Sequence, residues 1–199
     1  MDESALIKAA QSGDVNAFNS LVLAYQQIAY NVAYRVLGNS DAARDATQDG
    51  FIRAFRALSQ YRGGSFKSWL LRIVTNCCYD QLRAKKRRPS TPLDDLVEDD
   101  EHTTILADDT ETPEAHVERD ELGALLQRAL KSLPDDQRMV VVLCDVQGLS
   151  YEEAANACSV ALGTVKSRLS RARGKMRDYL LQRPELLPDS LRQRFEAPV

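Results

Sequence analysis

The chain has 199 residues, 44% of them hydrophobic, and carries 26 Lys+Arg against 29 Asp+Glu for a net charge of −3. This length suits one or two ordinary domains with real cores, and no apolar run approaches the roughly 18 residues of a membrane span. The acidic start MDESALIKAA lacks a signal-peptide core, and the four cysteines and two histidines fall in no zinc-ligand spacing, so a cytoplasmic protein without metal or cofactor is expected.

The mild overall charge hides segregation. Residues 1–88 carry 13 Lys/Arg against 7 Asp/Glu, residues 89–116 carry 10 acids and no Lys/Arg, and residues 117–199 carry 13 against 12. Local basic faces, not the average, decide polyanion binding. Cys77-Cys78 could form a redox pair, but adjacent cysteines bridge only under strain and cytosolic thiols stay reduced.

In chain order, residues 1–12 read as a short helix with Leu6, Ile7 and Ala10 inward. Gly13 breaks it and Asp14 caps the next. Phe18, Leu21, Val22, Tyr25, Ile28, Ala29, Val32, Ala33, Val36 and Leu37 then form one stripe, ended by Gly38-Asn39. Ser40 or Asp41 is expected to cap a helix to about Leu58, burying Phe51, Ala54, Phe55 and Leu58. Its other face shows Asp45, Gln48, Asp49, Arg53 and Arg56, a mix unremarkable on a solvated surface.

After the turn Tyr61–Gly64, Ser65 caps FKSWLLRIVTNCCYDQLRAKKRR. Phe66, Trp69, Leu70, Ile73, Val74 and Cys77 make its apolar stripe, and Val74, Thr75 and Asn76 are expected to weaken the helix midway. Its second half interleaves Tyr79, Gln81 and Arg83 with Lys85-Lys86-Arg87-Arg88. That suits single-stranded nucleic acid, whose bases stack on rings while cations follow the backbone; a solvated basic helix end fits equally. Prolines and dense acids mark residues 89–116 as a flexible linker.

Residues 117–132 form a helix with Leu122, Leu125, Leu126, Ala129 and Leu133 inward. Pro134-Asp135 begins another, burying Met139, Val140, Leu143 and Val146 and ending at Gly148. Ser150 with Glu153 is a capping box, opening a slim alanine-rich helix that turns at Cys158-Ser159. The following helix places Val165, Leu169, Ala172 and Met176 on one stripe. At about 100° per residue, Ser167, Ser170, Arg171 and Gly174 lie opposite, flanked by Lys166 and Arg173 on one side and Arg168 and Lys175 on the other. A small centre with cationic edges suits a DNA major groove, and the short capped helix before it makes a helix-turn-helix. Pro184 and Pro188 break the tail, and no alternating strand pattern occurs. The fold expected is all-α, two small helical domains joined by an acidic linker.

These residues resemble the extracytoplasmic-function (ECF) sigma factors of bacterial transcription. Four stretches carry the likeness: GD-x-x-AF-x-x-LV from Gly13, DAARDATQDGFIRAFRAL, FKSWLLRIVTNCCYDQLR, and LPDDQRMVVVLCDVQGLSYEEAA with GTVKSRLSRAR. The resemblance implies a region 2 helical bundle over 1–88, an acidic linker over 89–116, a region 4 helix-turn-helix over 117–182 and a tail over 183–199. It implies that Asp45, Gln48, Asp49, Phe51 and Arg53 bind the β′ clamp helices of core RNA polymerase. Trp69, Asn76, Tyr79, Arg83, Lys85, Lys86 and Arg87 would serve −10 DNA, with Asn76 in a base-capturing loop. Thr164, Lys166, Ser167, Arg168, Ser170 and Arg171 would serve −35 DNA. Further expectations are a contact with the polymerase β flap, an anti-sigma factor as partner, a monomer when free, no membrane insertion, no small-molecule substrate and no catalytic or metal-binding residue. The sequence departs from the family pattern at Arg44, Gly50 and the Cys77-Cys78 pair.

A stand-alone helix-turn-helix regulator would explain the second half alone. It predicts a dimer on palindromic DNA and leaves the basic, aromatic 66–88 segment unused. An enzyme is disfavoured, because no nucleophile–base pairing or glycine-rich phosphate loop is visible.

Overall fold

A computed structural model describes residues 2–87 and 113–187, with the side chains of 113–120 left aside. The acidic linker expected at 89–116 falls mostly outside the described residues, as do Arg88 and the end of the tail. Eight α-helices and no strand are present among the described residues.

The first half is a bundle of α1 (Glu3–Gln11), α2 (Val15–Leu37), α3 (Ser40–Ala57) and α4 (Phe66–Arg87). Asp2 and Asp14 cap α1 and α2 by accepting backbone N–H groups. Gly38, at φ 68°, ends α2 in the left-handed region. The cap of α3 is Asn39, whose side chain accepts from Ala42 N, and not Ser40 or Asp41; Ser40 is buried inside the first turn. Gln11 ties α1 down by donating to the carbonyls of Leu58 and Tyr61, and Tyr25 donates to the Glu3 carboxylate.

Two further expectations about this bundle fail. The buried stripe of α3 is Ala43, Ala46, Gly50 and Ala54, whereas Phe51 is half-buried and Phe55 is 45% exposed. Small residues win because α3 and α4 pack closely: a Cβ on Gly50 would lie 2.9 Å from Val74 Cγ2. Nor does α4 weaken at Val74–Asn76. Val74 and Thr75 are fully buried in an unbroken helix, so packing overrides a modest propensity deficit.

The second half contains α5 (Pro113–Lys131), α6 (Asp135–Val141), α7 (Tyr151–Cys158) and α8 (Leu162–Leu181). Helix α6 widens into a π-turn over Val142–Val146, with Gln147 N donating to Val142 O at 3.0 Å, before Gly148 stops it at φ 71°. The widened turn rotates Val146 outward to 43% exposure, contrary to its expected burial. The capping box of Ser150 and Glu153 is present, and Ser159 makes the left-handed turn at φ 55°.

The halves are not held apart. One contiguous hydrophobic core runs from Ile7 in α1 through Val36, Leu71 and Val74 to Val140, Leu143, Ala154 and Leu169. Three polar links cross between the halves. Lys67 Nζ donates to Gln147 O at 2.6 Å, Ser68 donates to Glu153, and Arg138 Nη1 donates to Val36 O at 2.5 Å. Arg138 is buried and also holds the carbonyls of Leu130 and Leu133.

Candidate nucleic-acid interface

Helix α4 begins where Ser65 Oγ accepts from Ser68 N at 3.1 Å and presents three faces. Leu70, Val74 and Cys77 pack toward the bundle, while Lys67, Ser68 and Tyr79 face the second half. The helical period puts Trp69, Arg72, Asn76, Arg83 and Arg87 along the remaining face. Asn76, Arg72, Arg83 and Arg87 are exposed there. Asn76 therefore stands mid-helix and not in a loop, a correction to its expected setting; the nearest loop is Tyr61–Ser65, at the Trp69 end. Trp69 is half-buried, edge-on to Tyr61 at 5.3 Å and tilted on Phe66 at 5.4 Å. Arg72 was missed in the sequence, although it lies one turn before Asn76.

Tyr79 stands apart from that face. It is half-buried, and burial followed by the Cys158 thiol raises its pKa well above the ordinary tyrosine value. Lys85, Lys86 and Arg87 are exposed at the end of the helix. Lys86 pairs with Asp135 at 2.8 Å, Arg83 lies 3.6 Å from Asp80, and Arg87 Nε donates to Arg83 O.

Helix α8 buries Val165, Leu169, Ala172 and Leu180. Lys166, Ser167, Ser170, Arg171 and Gly174 are exposed, and Thr164 and Arg168 are half-buried. The Arg171 guanidinium lies back along its own helix, donating to Ser167 O at 3.2 Å and Ser167 Oγ at 3.4 Å. Arg173 forks onto Asp145 at 3.0 and 2.6 Å, and this hydrogen-bonded pairing raises its pKa above the ordinary arginine value. Arg168 pairs with Asp136 at 3.0 Å. Beside them, Tyr151, Lys166, Ser170 and Arg173 line a shallow hollow between α7 and α8. Tyr151 was not legible as a surface-hollow residue, because in sequence it is simply the first residue of a capped helix.

On α3 the expected set divides. Asp45, Gln48 and Asp49 are exposed on one face, and Arg53, also exposed, is tied to Asp80 at 2.9 Å. Phe51 turns inward and is half-buried. The apolar members of this surface are instead Ile52 and Phe55, 42% and 45% exposed, with Phe55 edge-on to Phe18 at 4.9 Å. Ile52 and Phe55, three residues apart on one helix, make a small exposed apolar pair bordered by charge. All four cysteines are free and buried, and no group of three His, Cys, Asp or Glu able to hold a metal occurs among the described residues. No described helix is long and apolar enough to cross a membrane.

Comparison with known proteins adds the following. Residues 21–88 match the family model for Sigma-70 region 2, and residues 123–176 that for Sigma-70, region 4. The chain is 44% identical over 164 residues to the ECF RNA polymerase sigma factor SigE of Mycolicibacterium smegmatis, covering 82% of this chain and 62% of that relative's length. It is 37% identical over 175 residues to the ECF RNA polymerase sigma-E factor of Escherichia coli K12, covering 87% and 91%. Among solved structures it is similar to the sigma factor RpoE of Bartonella quintana, described in complex with the anti-sigma factor NepR. That match has a TM-score of 0.65 and 28% identity, and it covers 84% of this chain and 98% of the other.

Proposed function

We propose a division of labour for this chain, which belongs to the extracytoplasmic-function (ECF) sigma factors of RNA polymerase and directs promoter-specific transcription initiation. The first half, residues 1–88, binds the core enzyme and opens the −10 element. Residues 89–116 tether it to the second half, 117–182, which reads the −35 element as duplex; 183–199 form a tail. The observation that carries this reading is the pair of exposed cationic and polar faces, one on α4 and one on α8, in halves that match two different sigma regions.

On α3, Asp45, Gln48, Asp49 and Arg53 supply charge and hydrogen bonds to the β′ clamp helices, and Ile52 and Phe55 supply the apolar centre. Phe51 acts from beneath, by fixing the helix. The second half also meets the β flap. On α4, Asn76 offers an amide to the edge of an extruded base, with Trp69 on the same face as a stacking surface; Tyr79, turned toward the second half, supports the helix from behind. Extrusion costs a few kcal/mol per base, and contacts that a paired base cannot make offset it. Arg72, Arg83, Lys85, Lys86 and Arg87 hold phosphates, which adds affinity more than specificity.

On α8, the small Ser167 and Ser170 let the helix approach base edges, while Thr164 and Arg168 border the groove. Arg171 and Lys166 address guanine O6 and N7, with about 1–3 kcal/mol of discrimination for a good bidentate contact. Arg171 alone has the required fork. Such a protein lends sequence reading to the polymerase and does no covalent chemistry of its own. It works in the cytoplasm, as a monomer when free, under the control of an anti-sigma factor, as the RpoE relative is described with NepR.

Two variants separate the surfaces. Phe55→Ala should weaken binding to core polymerase several-fold while leaving −35 recognition by the assembled holoenzyme intact. Arg171→Ala should weaken −35-dependent initiation with core affinity unchanged. Equal loss of core affinity in both would show that α8 has been misassigned.

A further inference from the structure

Pro184 cannot continue α8, because it lacks the N–H and its ring clashes with the preceding turn. The chain reverses there into one 3-10 turn over Pro184–Leu186, which lies against α5. Leu187 N donates to Pro184 O at 3.1 Å, and the Arg183 guanidinium sits 5.0 Å from the centre of the Tyr179 ring. Leu187 is 2% exposed, in one cluster with Leu125 and Ala129 of α5 and Leu180 of α8. The half-buried Leu126, Met176 and Leu186 close around it. The tail is therefore docked as far as residue 187, in a groove between α5 and the end of α8.

The other faces of the second half are taken. Helix α7 packs on α4 and α6 on α2, and the outer face of α8 carries Lys166, Ser167, Ser170 and Arg171. Among the described residues of this half, the exposed large apolar side chains are Val146 and Leu181, too few for a protein contact. The groove is the apolar surface that remains, and the tail covers it. The Sigma-70, region 4 match spans 123–176. It takes in Leu125, Leu126, Ala129 and Met176 of the groove and stops before the segment that fills it. The walls belong to the shared unit, and the cover lies beyond it. Such a cover opens easily: a single 3-10 turn has poor hydrogen-bond geometry and little cooperativity, and peripheral segments lie at the low end of local stability.

We propose that Leu186 and Leu187 plug a docking groove. They occupy the apolar surface through which the second half meets core polymerase, and they leave it when an apolar segment of the polymerase takes their place. That segment presents adjacent leucine-sized side chains, as the plug does. The plug lowers the fraction of free chains competent to dock, and the apparent affinity falls in proportion. The inference rests on the reading that the second half contacts core polymerase as well as DNA.

The test measures the affinity of the full chain for core polymerase. Leu186→Ala with Leu187→Ala should tighten binding about 3- to 10-fold, the gain expected if the plug is closed in roughly 70–90% of free chains. Leu187→Met keeps an apolar side chain of similar volume and should change binding less than about 2-fold. A synthetic peptide of residues 182–199 at about 1 mM, near the effective concentration of a tethered segment, should reverse the gain in the alanine variant. The same peptide carrying the two alanines should not. Unchanged or weaker binding in an alanine variant whose thermal unfolding is unaltered overturns the proposal and leaves the tail a structural strap. Should that variant unfold at a lower temperature, the two peptides decide: a natural peptide that weakens binding no more than the alanine peptide overturns the proposal equally. A chain that binds no core polymerase in any form contradicts the proposed function itself, and this inference with it.

Discussion

Arg138 donates to the carbonyl oxygen of Val36 at 2.5 Å, joining the start of α6 to the last turn of α2 in the other half. The same guanidinium holds Leu130 O at 2.9 Å and Leu133 O at 2.9 Å, so one buried cation satisfies helix-end carbonyls on both sides. Arg138→Leu removes the donors and leaves buried acceptors unpaired, at about 1–3 kcal/mol for each group that water cannot reach. A loss of roughly 2–4 kcal/mol in urea unfolding is expected. Arg138→Lys should recover little, because an ammonium cannot fork between separated carbonyls.

Gly50→Ala should destabilise the chain although alanine is the better helix former. The propensity gain is about 1 kcal/mol. The new Cβ would meet Val74 Cγ2 at 2.9 Å in a fully packed α3–α4 contact, and overpacking costs about 1–3 kcal/mol. A net loss of roughly 1 kcal/mol should appear in thermal unfolding. Val74→Ala in the same chain should partly restore Gly50→Ala, a coupling readable in a double-mutant cycle.

The outcome at Gly50 shows where sequence reasoning stopped. Most caps and the α8 stripe were legible because they depend on neighbouring residues: Asp14, Gly38, and Ser150 with Glu153 stand where expected, and the cap of α3 is one residue earlier, at Asn39. The α3 face was read by residue size, which placed Phe55 inside; the close approach of α4 at Gly50 and Val74 reversed that. The loop setting of Asn76 came from the family resemblance and the midway weakening of α4 from its β-branched residues; burial of Val74 and Thr75 in an unbroken helix removes both. The packing of α4 on α7 involves residues some 80 positions apart and has no local signature.

Glu153 gives the contact between halves a pH dependence. Its carboxyl is held below the ordinary value of 4.5, first by the Ser68 hydroxyl and then by the Ser150 backbone N–H. A lowered folded pKa favours the ionised form in the folded state. Its contribution is therefore present above the ordinary carboxylate range and lost as pH falls through the folded value. Glu153→Gln should cost about 1 kcal/mol at pH 7. The difference from wild type should shrink below pH 4.5, as urea unfolding at pH 7 and in mild acid would show.

Asn76→Ala should slow promoter opening about tenfold at a matched −10 element, equivalent to roughly 1.4 kcal/mol, and leave core affinity unchanged. Fluorescence of a base analogue placed in the −10 strand follows the step. The amide is exposed in the middle of α4, so the substitution should not alter thermal stability measurably.

The most direct measurement is run-off transcription by core polymerase across a promoter library, with and without this chain. With it, transcripts should begin at a discrete set of sites that share one −35 and one −10 sequence, and that set should vanish when either element is scrambled. A chain that fails to bind core polymerase, or binds it and leaves the distribution of start sites unchanged, would contradict the account.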